Sequence, residues 1–305
     1  MGRLDGRVAI VTGAGGGIGR EHALLFAQEG AAVLVNDIGA RTGADAASVA
    51  AEITAAGGTA VASTASATWD GAAEIVEAAI DAFGRLDIVV NNATAGRNND
   101  LWKFTEQEWD LTFSVNLKGY FALIREATPH LARQGGAIVN TSSSSGFGHP
   151  SHVAYAAAKE GVVGLTRTAA KELGRFGIRC NAIRPVAIGQ AVGEYHEQTA
   201  PWRHLMDVTM GVGTKAMDPE AFAPRMISPF VVWLCTDAAS GVNGRSFYVS
   251  GGRVSLLTEP KSAKTINHEA AWTLDELDAI ATGELVDGLT NRFLLADHPD
   301  LQKFE

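Results

Sequence analysis

The feature that most constrains this chain is a regular alternation of short apolar runs with longer segments of helical periodicity. Seven apolar runs indicate strands, at residues 8–11, 32–35, 60–62, 86–90, 137–140, 178–183 and 246–249. The helical segments lie at 19–28, 42–56, 72–83, 106–134 (interrupted near Pro129), 155–176 and 229–235. Apolar strands separated by helices are typical of a parallel sheet that is covered on both faces. With right-handed crossovers, this pattern predicts an α/β fold with a doubly wound parallel sheet.

Two segments fall outside this alternation. Residues 187–225 are irregular, and their large side chains include Tyr195, Trp202, Met206, Met210 and Met217. A loop of this length inside a compact domain is usually functional, so we predict a substrate lid. The polar tail contains one helix candidate at 273–281, where Thr273 and Glu276 have the spacing of a capping box. We therefore predict one domain at 1–252, with its lid at about 187–225, and a C-terminal extension at 253–305.

The composition argues against several kinds of partner. The 34 acidic and 25 basic residues give a formal net charge of −9 without a long basic run, so we expect no nucleic-acid binding. No segment approaches the ~20 apolar residues of a membrane span, so we expect a cytoplasmic protein without a membrane partner. The 2 cysteines have no CxxC spacing and the histidines no metal-ligand spacing, so no metal site is predicted.

A glycine-rich turn joins the first strand to the first helix. The segment Thr12–Gly19 reads TGAGGGIG. Glycines allow a tight turn and the close approach of a pyrophosphate, and the helix N-terminus supplies N–H groups and a favourable dipole. The motif is weak by itself, but its strand–turn–helix context strengthens it. We therefore predict a dinucleotide-binding domain of the Rossmann type.

Asp37 ends the second strand and lies 18 residues after Gly19. A carboxylate at this place accepts hydrogen bonds from the adenosine ribose hydroxyls and repels a 2′-phosphate, which favours NAD over NADP. Arg41 lies nearby and is the residue that would favour a phosphate. We expect NAD as the cofactor, because Asp37 would have to be neutralised before Arg41 could act in this way.

A phenol and an ammonium group lie four residues apart, at Tyr155 and Lys159. On a helix, residues at i and i+4 share one face. A nearby positive charge lowers the pKa of a phenol, which then exchanges a proton with an alcohol near neutral pH. Ser142 and Ser143 follow the strand at 137–140, where a hydroxyl can hold the substrate oxygen. The set predicts proton transfer to or from an alcohol or ketone.

Asn116 and the segment Asn91–Ala93 complete the candidate site. Asn116 lies in a helical segment, where asparagine is unfavourable unless its side chain has a task. Asn91–Ala93 follows the strand at 86–90, at the carboxyl end where ligands bind in open α/β sheets.

These motifs, taken in order and together with NAIRP at 181–185, resemble the short-chain dehydrogenase/reductase family over about residues 4–252. The resemblance implies an oxidoreductase in which Tyr155 is the general acid/base. It implies that Lys159 lowers the pKa of Tyr155 and holds the nicotinamide ribose, and that Ser143 orients the substrate oxygen. Asn116 would support a water-mediated proton relay. Ser142 remains an alternative to Ser143, because the spacing to Tyr155 is one residue shorter than the family pattern.

The resemblance also implies a set of cofactor-binding residues. They are Gly13, Gly17, Ile18, Gly19, Asp37, Ala65, Ser66, Asn92, Ala93, Thr94, Tyr155, Lys159, Pro185 and Ile188. Family members that use NADP commonly carry a basic residue just before the middle glycine, where this chain has Gly16, so this position also supports NAD. Departures from the family pattern are Ala65 for Asp, Thr94 for Gly, Val186 for Gly, and Gln190 near a usual Thr.

A narrower resemblance concerns the substrate. Segments 35–39, 228–235 and 248–252 resemble the subgroup that contains the (3R)-hydroxyacyl-CoA dehydrogenase domain of peroxisomal multifunctional enzyme type 2 and bacterial hydroxysteroid dehydrogenases. This implies one of those two substrate classes, with the lid as an apolar wall. Alternatively, the methionines of the predicted lid do not contact substrate and only pack against the core.

The family resemblance also implies an oligomer, and two alternative functions remain open. The family usually forms homodimers or homotetramers through helices near 106–134 and 155–176. An NADPH-dependent ketone or 3-oxoacyl reductase is an alternative activity. A non-catalytic NAD-sensing protein is another, because a fold alone does not determine function.

Overall fold

The computed structural model describes residues 2–40, 43, 45–188, 218–291 and 293–294. It contains one eight-stranded sheet. The strands are β1 (Val8–Thr12), β2 (Ala32–Asn36), β3 (Thr59–Ser63), β4 (Ile88–Asn91), β5 (Gly136–Thr141), β6 (Ile178–Val186), β7 (Ser246–Ser250) and β8 (Arg253–Leu256). They lie in the order β3-β2-β1-β4-β5-β6-β7-β8.

The first seven strands are parallel, which confirms the predicted doubly wound sheet. Each of the seven predicted strands lies within three residues of its observed bounds. The strand order reverses between β1 and β4. In such sheets ligands bind in the crevice at the carboxyl ends of the strands beside the reversal. The fold therefore places the binding crevice after Thr12 and Asn91.

The prediction that residues 246–249 form the last strand is wrong. An eighth strand follows and pairs antiparallel with β7, so that Val254 lies opposite Val249. The hairpin turns at Gly251, whose φ of +55° is a conformation that favours glycine. Most side chains of β8 are exposed, and for this reason no apolar run marked the strand in the sequence.

Helices cover both faces of the sheet. The α-helices of the described part are α1 (Gly17–Gln28), α2 (Ala46–Ala55), α3 (Ala72–Phe83), α4 (Glu106–Phe113), α5 (Tyr120–Leu131), α6 (Val153–Leu173), α7 (Ser228–Leu234) and α8 (Leu274–Glu284). Short 3-10 helices lie at Leu101–Lys103, Ser144–Phe147, Gly174–Phe176, Pro224–Met226 and Asp237–Ala239. Helices α1, α2 and α7 contribute to one apolar cluster, and α3, α5 and α6 to a second one. Burial of these two clusters is the main stabilising contribution to the fold.

The predicted helix interruption near Pro129 is also wrong. Pro129 lies inside α5, two residues before its end, and is exposed. A proline there removes one hydrogen bond of the last turn without ending the helix. The interruption is instead a π-helical turn, Ser114–Gly119, between α4 and α5. Such turns are frequent at functional sites, and this one contains Asn116.

Two helix starts follow from side-chain caps. The predicted capping box is confirmed, because Thr273 and Glu276 cap α8 reciprocally. Helix α2 begins four residues later than predicted, because Asp45 caps it by accepting hydrogen bonds from the amides of Ala47 and Ser48. Caps of this kind contribute about 1 kcal/mol each.

The chain divides into two compact units, residues 1–257 and 258–305. Because β8 belongs to the sheet, the predicted boundary after residue 252 separates residues that the structure keeps together. Most of the predicted lid, residues 189–217, lies outside the described residues, and Gln190 lies there too. Among the helices that are described, none combines the length and the apolar character that crossing a bilayer requires.

Candidate active site

The glycine-rich turn lies at the carboxyl end of β1. Gly13 and Gly17 have φ angles of +62° and +53°, which glycine adopts without steric cost. A Cβ on Gly19 would lie 2.1 Å from the carbonyl oxygen of Gly13, so the helix approaches the turn only because this atom is absent. Gly16 precedes α1 and has no side chain to cap it. The first amides of α1, including that of Ile18, therefore fit the pyrophosphate of a dinucleotide.

Asp37 lies beside this turn, directly after β2. Its carboxylate accepts hydrogen bonds from the backbone N–H groups of Gly15 at 3.0 Å and Gly39 at 2.9 Å. These bonds fix an anionic group where the adenosine ribose of a dinucleotide would lie. Arg41, the alternative partner for a phosphate, lies outside the described residues.

Four more predicted cofactor positions lie at or just after strand ends. Ala65 and Ser66 follow β3, and the buried amide of Asn36 donates to the carbonyl of Ala65 at 2.8 Å. Pro185 is the second-last residue of β6, and Ile188 comes two residues after this strand. These positions lie at the same edge of the parallel sheet as the glycine turn, which is the edge where a dinucleotide binds.

Asn92 and Ala93 hold the glycine turn through Thr12. The amide group of Asn92 donates to the carbonyls of Thr12 and Gly13 at 3.0 and 3.1 Å. The Thr12 hydroxyl oxygen accepts from the backbone N–H groups of Asn92 and Ala93 at 3.0 and 3.1 Å. Sequence reasoning missed Thr12, although it is the first residue of the glycine motif. The side chain of Asn92 thus shapes the cofactor crevice.

Asn116 lies in the π-helical turn and is fully buried. Its amide donates to the carbonyl of Thr112 at 2.8 Å and to the carbonyl of Ala95. Its Oδ1 accepts from the hydroxyl of Thr94 at 2.7 Å. Thr94 stands where the family has glycine, and its hydroxyl adds a contact that glycine cannot make. Asn116 therefore joins the segment after β4 to the helix that precedes α5.

Tyr155 and Lys159 lie on α6, one turn apart, as predicted. Lys159 is fully buried, and its Nζ donates to the carbonyl of Thr141 at 2.7 Å. The same Nζ lies 5.5 Å from the ring centroid of Tyr155. Burial lowers the pKa of Lys159 to about 7. Tyr155 is half-buried, so its phenol is within reach of a ligand.

The two candidate serines have different surroundings. Ser142 is buried, and its hydroxyl donates to the carbonyl of Lys159 at 2.7 Å. Ser143 is half-buried, and its hydroxyl oxygen accepts from the backbone N–H of Ser145 at 3.1 Å. The proton of the Ser143 hydroxyl is not used in that contact. The geometry therefore favours Ser143 as the group that donates to a substrate oxygen.

Arg184 holds the serine segment, a role that sequence reasoning did not assign although the residue lies in the motif at 181–185. Its guanidinium is almost fully buried, donates to the carbonyl of Ser143 at 2.8 Å and pairs with Glu160 at 2.6 Å. It also lies over the ring of Phe147, 4.2 Å from the centroid. The available signal was an arginine in a strand that is otherwise largely apolar. Arg184 thus connects the serine segment to α6.

A pair of stacked imidazoles borders Tyr155. The rings of His149 and His152 lie 4.1 Å apart, and the His152 ring meets the Tyr155 ring edge-on at 5.9 Å. Burial lowers the pKa of His152 to about 3 and also lowers that of His149. Both imidazoles are therefore neutral at pH 7. Sequence reasoning missed this pair, because neither residue has a metal or triad spacing.

Together, the fold and the site define a class: a dinucleotide-binding oxidoreductase that acts on alcohol or ketone carbons. A family model described as short chain dehydrogenase matches residues 7–200, and the chain belongs to this family. The family resemblance of the sequence is thus confirmed.

Individual relatives agree with this assignment. The chain is 43% identical over 244 residues to peroxisomal multifunctional enzyme type 2 of Drosophila melanogaster, covering 77% of this chain and 38% of that protein. It is 36% identical over 291 residues to hydroxyacyl-CoA dehydrogenase ChsB1 of Mycobacterium tuberculosis, and the alignment covers 90% of this chain and 87% of that protein. A crystal structure of a short chain dehydrogenase from Mycobacterium avium matches with a TM-score of 0.78 at 40% sequence identity. The match covers 93% of this chain and 96% of that one. The chain thus spans less than half of the multifunctional relative.

Proposed function

We propose that this chain is an NAD-dependent dehydrogenase that oxidises the hydroxyl group of 3-hydroxyacyl-CoA thioesters. The observation that carries the reaction class is the Lys159 ammonium group, which is fully buried one helical turn from Tyr155. Its hydrogen bonds in the described residues are to a carbonyl and a hydroxyl oxygen. The charged form of a lysine that is buried without a carboxylate partner is costly, which is why the pKa of Lys159 falls to about 7. A Tyr155 phenolate beside it would stabilise that charged form, and the charged lysine would stabilise the phenolate.

The residues of the site support one sequence of proton movements. The Tyr155 phenolate accepts the proton of the substrate hydroxyl, and the Ser143 hydroxyl donates a hydrogen bond to the same oxygen. Lys159 stabilises the phenolate before this transfer, while Asn116 keeps the segment after β4 against the helix. A bound nicotinamide supplies the hydride acceptor for the carbinol carbon.

The choice of NAD rests on Asp37. Its carboxylate is fixed by two backbone N–H groups beside the glycine turn, and it would repel a 2′-phosphate. Arg20, in the first turn of α1, is paired with Glu21 and Glu52 at 2.6 and 2.7 Å, so its charge is already compensated. These contacts support an oxidising enzyme over an NADPH-dependent reductase.

The substrate class rests on the relative named hydroxyacyl-CoA dehydrogenase, to which the chain aligns over most of both lengths. The neutral imidazoles of His149 and His152 beside Tyr155 suit an uncharged acyl chain. Hydroxysteroids are the second substrate class, because the narrower sequence resemblance also includes bacterial hydroxysteroid dehydrogenases.

Cofactor binding tests the first half of the proposal. Fluorescence titrations with NADH and NADPH should show tighter binding of NADH, and Asp37→Ala should reduce that preference at least tenfold. Asp81→Ala, which removes an exposed carboxylate from α3, should leave the preference unchanged. Tighter binding of NADPH by the unaltered chain would contradict the proposal and favour the reductase.

Turnover tests the second half. Oxidation of 3-hydroxyacyl-CoA thioesters and hydroxysteroids is followed through NADH absorbance, with Tyr155→Phe as the matched variant. We expect turnover of the thioesters and a loss of at least a hundredfold in kcat for the variant. NADH binding without turnover of either class would instead indicate a non-catalytic NAD-sensing protein.

Two accompanying proposals concern assembly and location. Exposed aromatic side chains lie on α4 and α5, among them Trp109 and Phe121, which are 39% and 44% exposed. They support a homodimer or homotetramer formed through these helices, and light scattering after size exclusion should give two or four times the chain mass. We also propose a cytoplasmic location, which cell fractionation tests.

A further inference from the structure

We propose that Tyr120, at the start of α5, is a positioning residue for Lys159, which it holds by a direct hydrogen bond. The Tyr120 hydroxyl oxygen lies 3.1 Å from Nζ of Lys159, and both side chains are almost fully buried. This inference rests on the proposed function, because it concerns how the same lysine is kept charged and in place.

The direction of each hydrogen bond follows from the donors that are present. The Tyr120 hydroxyl has one proton, and its oxygen lies 3.0 Å from the carbonyl of Ala93 and 3.4 Å from the carbonyl of Thr141. Carbonyls only accept, so the phenol proton is used there. The phenol oxygen is then left to accept an N–H from Lys159. An acceptor in this place stabilises the charged form of the lysine over the neutral form.

The phenol of Tyr120 stays protonated in the working pH range. Burial raises the pKa of Tyr120 well above its usual value, and the neighbouring Tyr155 raises it further. Tyr120 is therefore a neutral acceptor that does not compete with Tyr155 for the catalytic proton.

Few groups compensate the charge of Lys159. In the described part of the chain, its hydrogen bonds and ring contacts are with Thr141, Tyr120 and Tyr155. The titratable groups that face it are thus the two phenols. One N–H goes to Thr141 and one to Tyr120, which leaves the third for the nicotinamide ribose that the family resemblance assigns to Lys159. Removing the Tyr120 oxygen takes away one of two protein acceptors.

Tyr120 also connects the lysine to the cofactor crevice. Through Ala93 it is bonded to the segment that holds the glycine turn, and a Cβ on Gly13 would lie 2.7 Å from the Cα of Ala93. One buried hydroxyl thus joins the ends of β4 and β5 to Lys159. A change at Tyr120 should therefore affect the charge of the lysine and, to a smaller extent, cofactor binding.

The decisive variant is Tyr120→Phe, which removes only the hydroxyl. Protein labelled with ε-¹³C lysine is titrated by NMR, and Lys159→Arg assigns the resonance. We expect the titration midpoint of Lys159 to fall by about one pH unit, because a hydrogen bond to a charged group is lost. Thr128→Val is the matched control, because it removes a hydroxyl from the same helix that donates to Ile124 at 2.7 Å and not to the site.

A pH profile gives the catalytic readout. If Lys159 loses charge, the phenolate of Tyr155 is less stabilised, so the rising limb of kcat/KM for oxidation should move to higher pH by up to about one unit. A Tyr120→Phe variant that melts earlier but keeps both the Lys159 midpoint and the pH profile would show a packing role only, and would overturn the proposal.

A measurement without substitution covers the case in which Tyr120→Phe does not fold. In the unaltered chain labelled with 3-fluorotyrosine, the ¹⁹F signal of Tyr120 should move at the titration midpoint of Lys159. The chain has 4 tyrosines, and Tyr155→Phe, Tyr195→Phe and Tyr248→Phe assign the other three signals. A Tyr120 signal that does not change while Lys159 titrates would refute the hydrogen bond between the two residues. Both NMR readouts need no substrate, so failure of the proposed function, seen as absence of turnover, remains distinguishable.

Discussion

His22 provides the sharpest test of the described core. This histidine lies on α1, is fully buried, and its Nδ1 lies 2.8 Å from the hydroxyl oxygen of Ser228 at the start of α7. Burial lowers the pKa of His22 from 6.5 to about 3, so the imidazole is neutral in the folded protein. Replacement by asparagine keeps a polar group near the position of Nδ1 but removes the titration. The variant His22→Asn therefore separates hydrogen bonding from protonation.

The expected magnitude follows from linkage. Below pH 6.5 the unfolded chain binds a proton at His22 that the folded protein does not bind, so the free energy of unfolding falls as the pH falls. Between pH 7 and pH 5 this difference amounts to about 2 kcal/mol, at about 1.4 kcal/mol per pH unit below the unfolded pKa. The figure barely changes for any folded-state pKa below about 4.

Urea unfolding at pH 7 and pH 5 measures this difference. Between pH 7 and pH 5 the free energy of unfolding should fall by about 2 kcal/mol more in the unaltered protein than in His22→Asn, because both proteins share the other titrating groups. Ser228→Ala is the matched control. This variant removes the hydroxyl that contacts His22 but keeps the buried imidazole. Its loss of unfolding free energy between pH 7 and pH 5 should therefore equal that of the unaltered protein.

Two results would refute this reasoning. His22→Asn and the unaltered protein could lose the same free energy of unfolding between pH 7 and pH 5. His22 would then have to titrate with the same pKa in the folded and in the unfolded state. If Ser228→Ala behaved like His22→Asn, the hydrogen bond and not burial would control the pKa.

Three further outcomes follow from contacts in the first unit. Arg184→Lys should lower kcat about tenfold with a stability loss of about 1–2 kcal/mol, because lysine cannot bond both Ser143 and its carboxylate partner; steady-state kinetics and urea unfolding check this. Gly19→Ala should abolish NADH binding or prevent folding, since a Cβ would lie 2.1 Å from the Gly13 carbonyl oxygen; NADH fluorescence and circular dichroism distinguish these outcomes. Burial raises the pKa of both cysteine thiols to about 12, so iodoacetamide at pH 8 should label them only after unfolding, which mass spectrometry detects.

The parts of the fold that have a local period could be predicted from the sequence. Seven parallel strands contain apolar runs that mark them in the sequence, and the cap at Thr273 has a fixed spacing to Glu276. The strand β8 is exposed and the π turn at Asn116 depends on a side chain bonded to a distant loop. Neither feature has a local period, so both were missed.

The same distinction applies to the site. Tyr155 and Lys159 are an i,i+4 pair, which one helix places together whatever surrounds it. Tyr120 and Lys159 are 39 residues apart, and Ser143 and Arg184 are 41 apart, so only the tertiary fold brings each pair together. Local spacing therefore predicts the type of chemistry. The contacts that set the charge of the lysine and the position of the serine are long-range, and their effects have to be measured on this chain, because the family motif does not specify them.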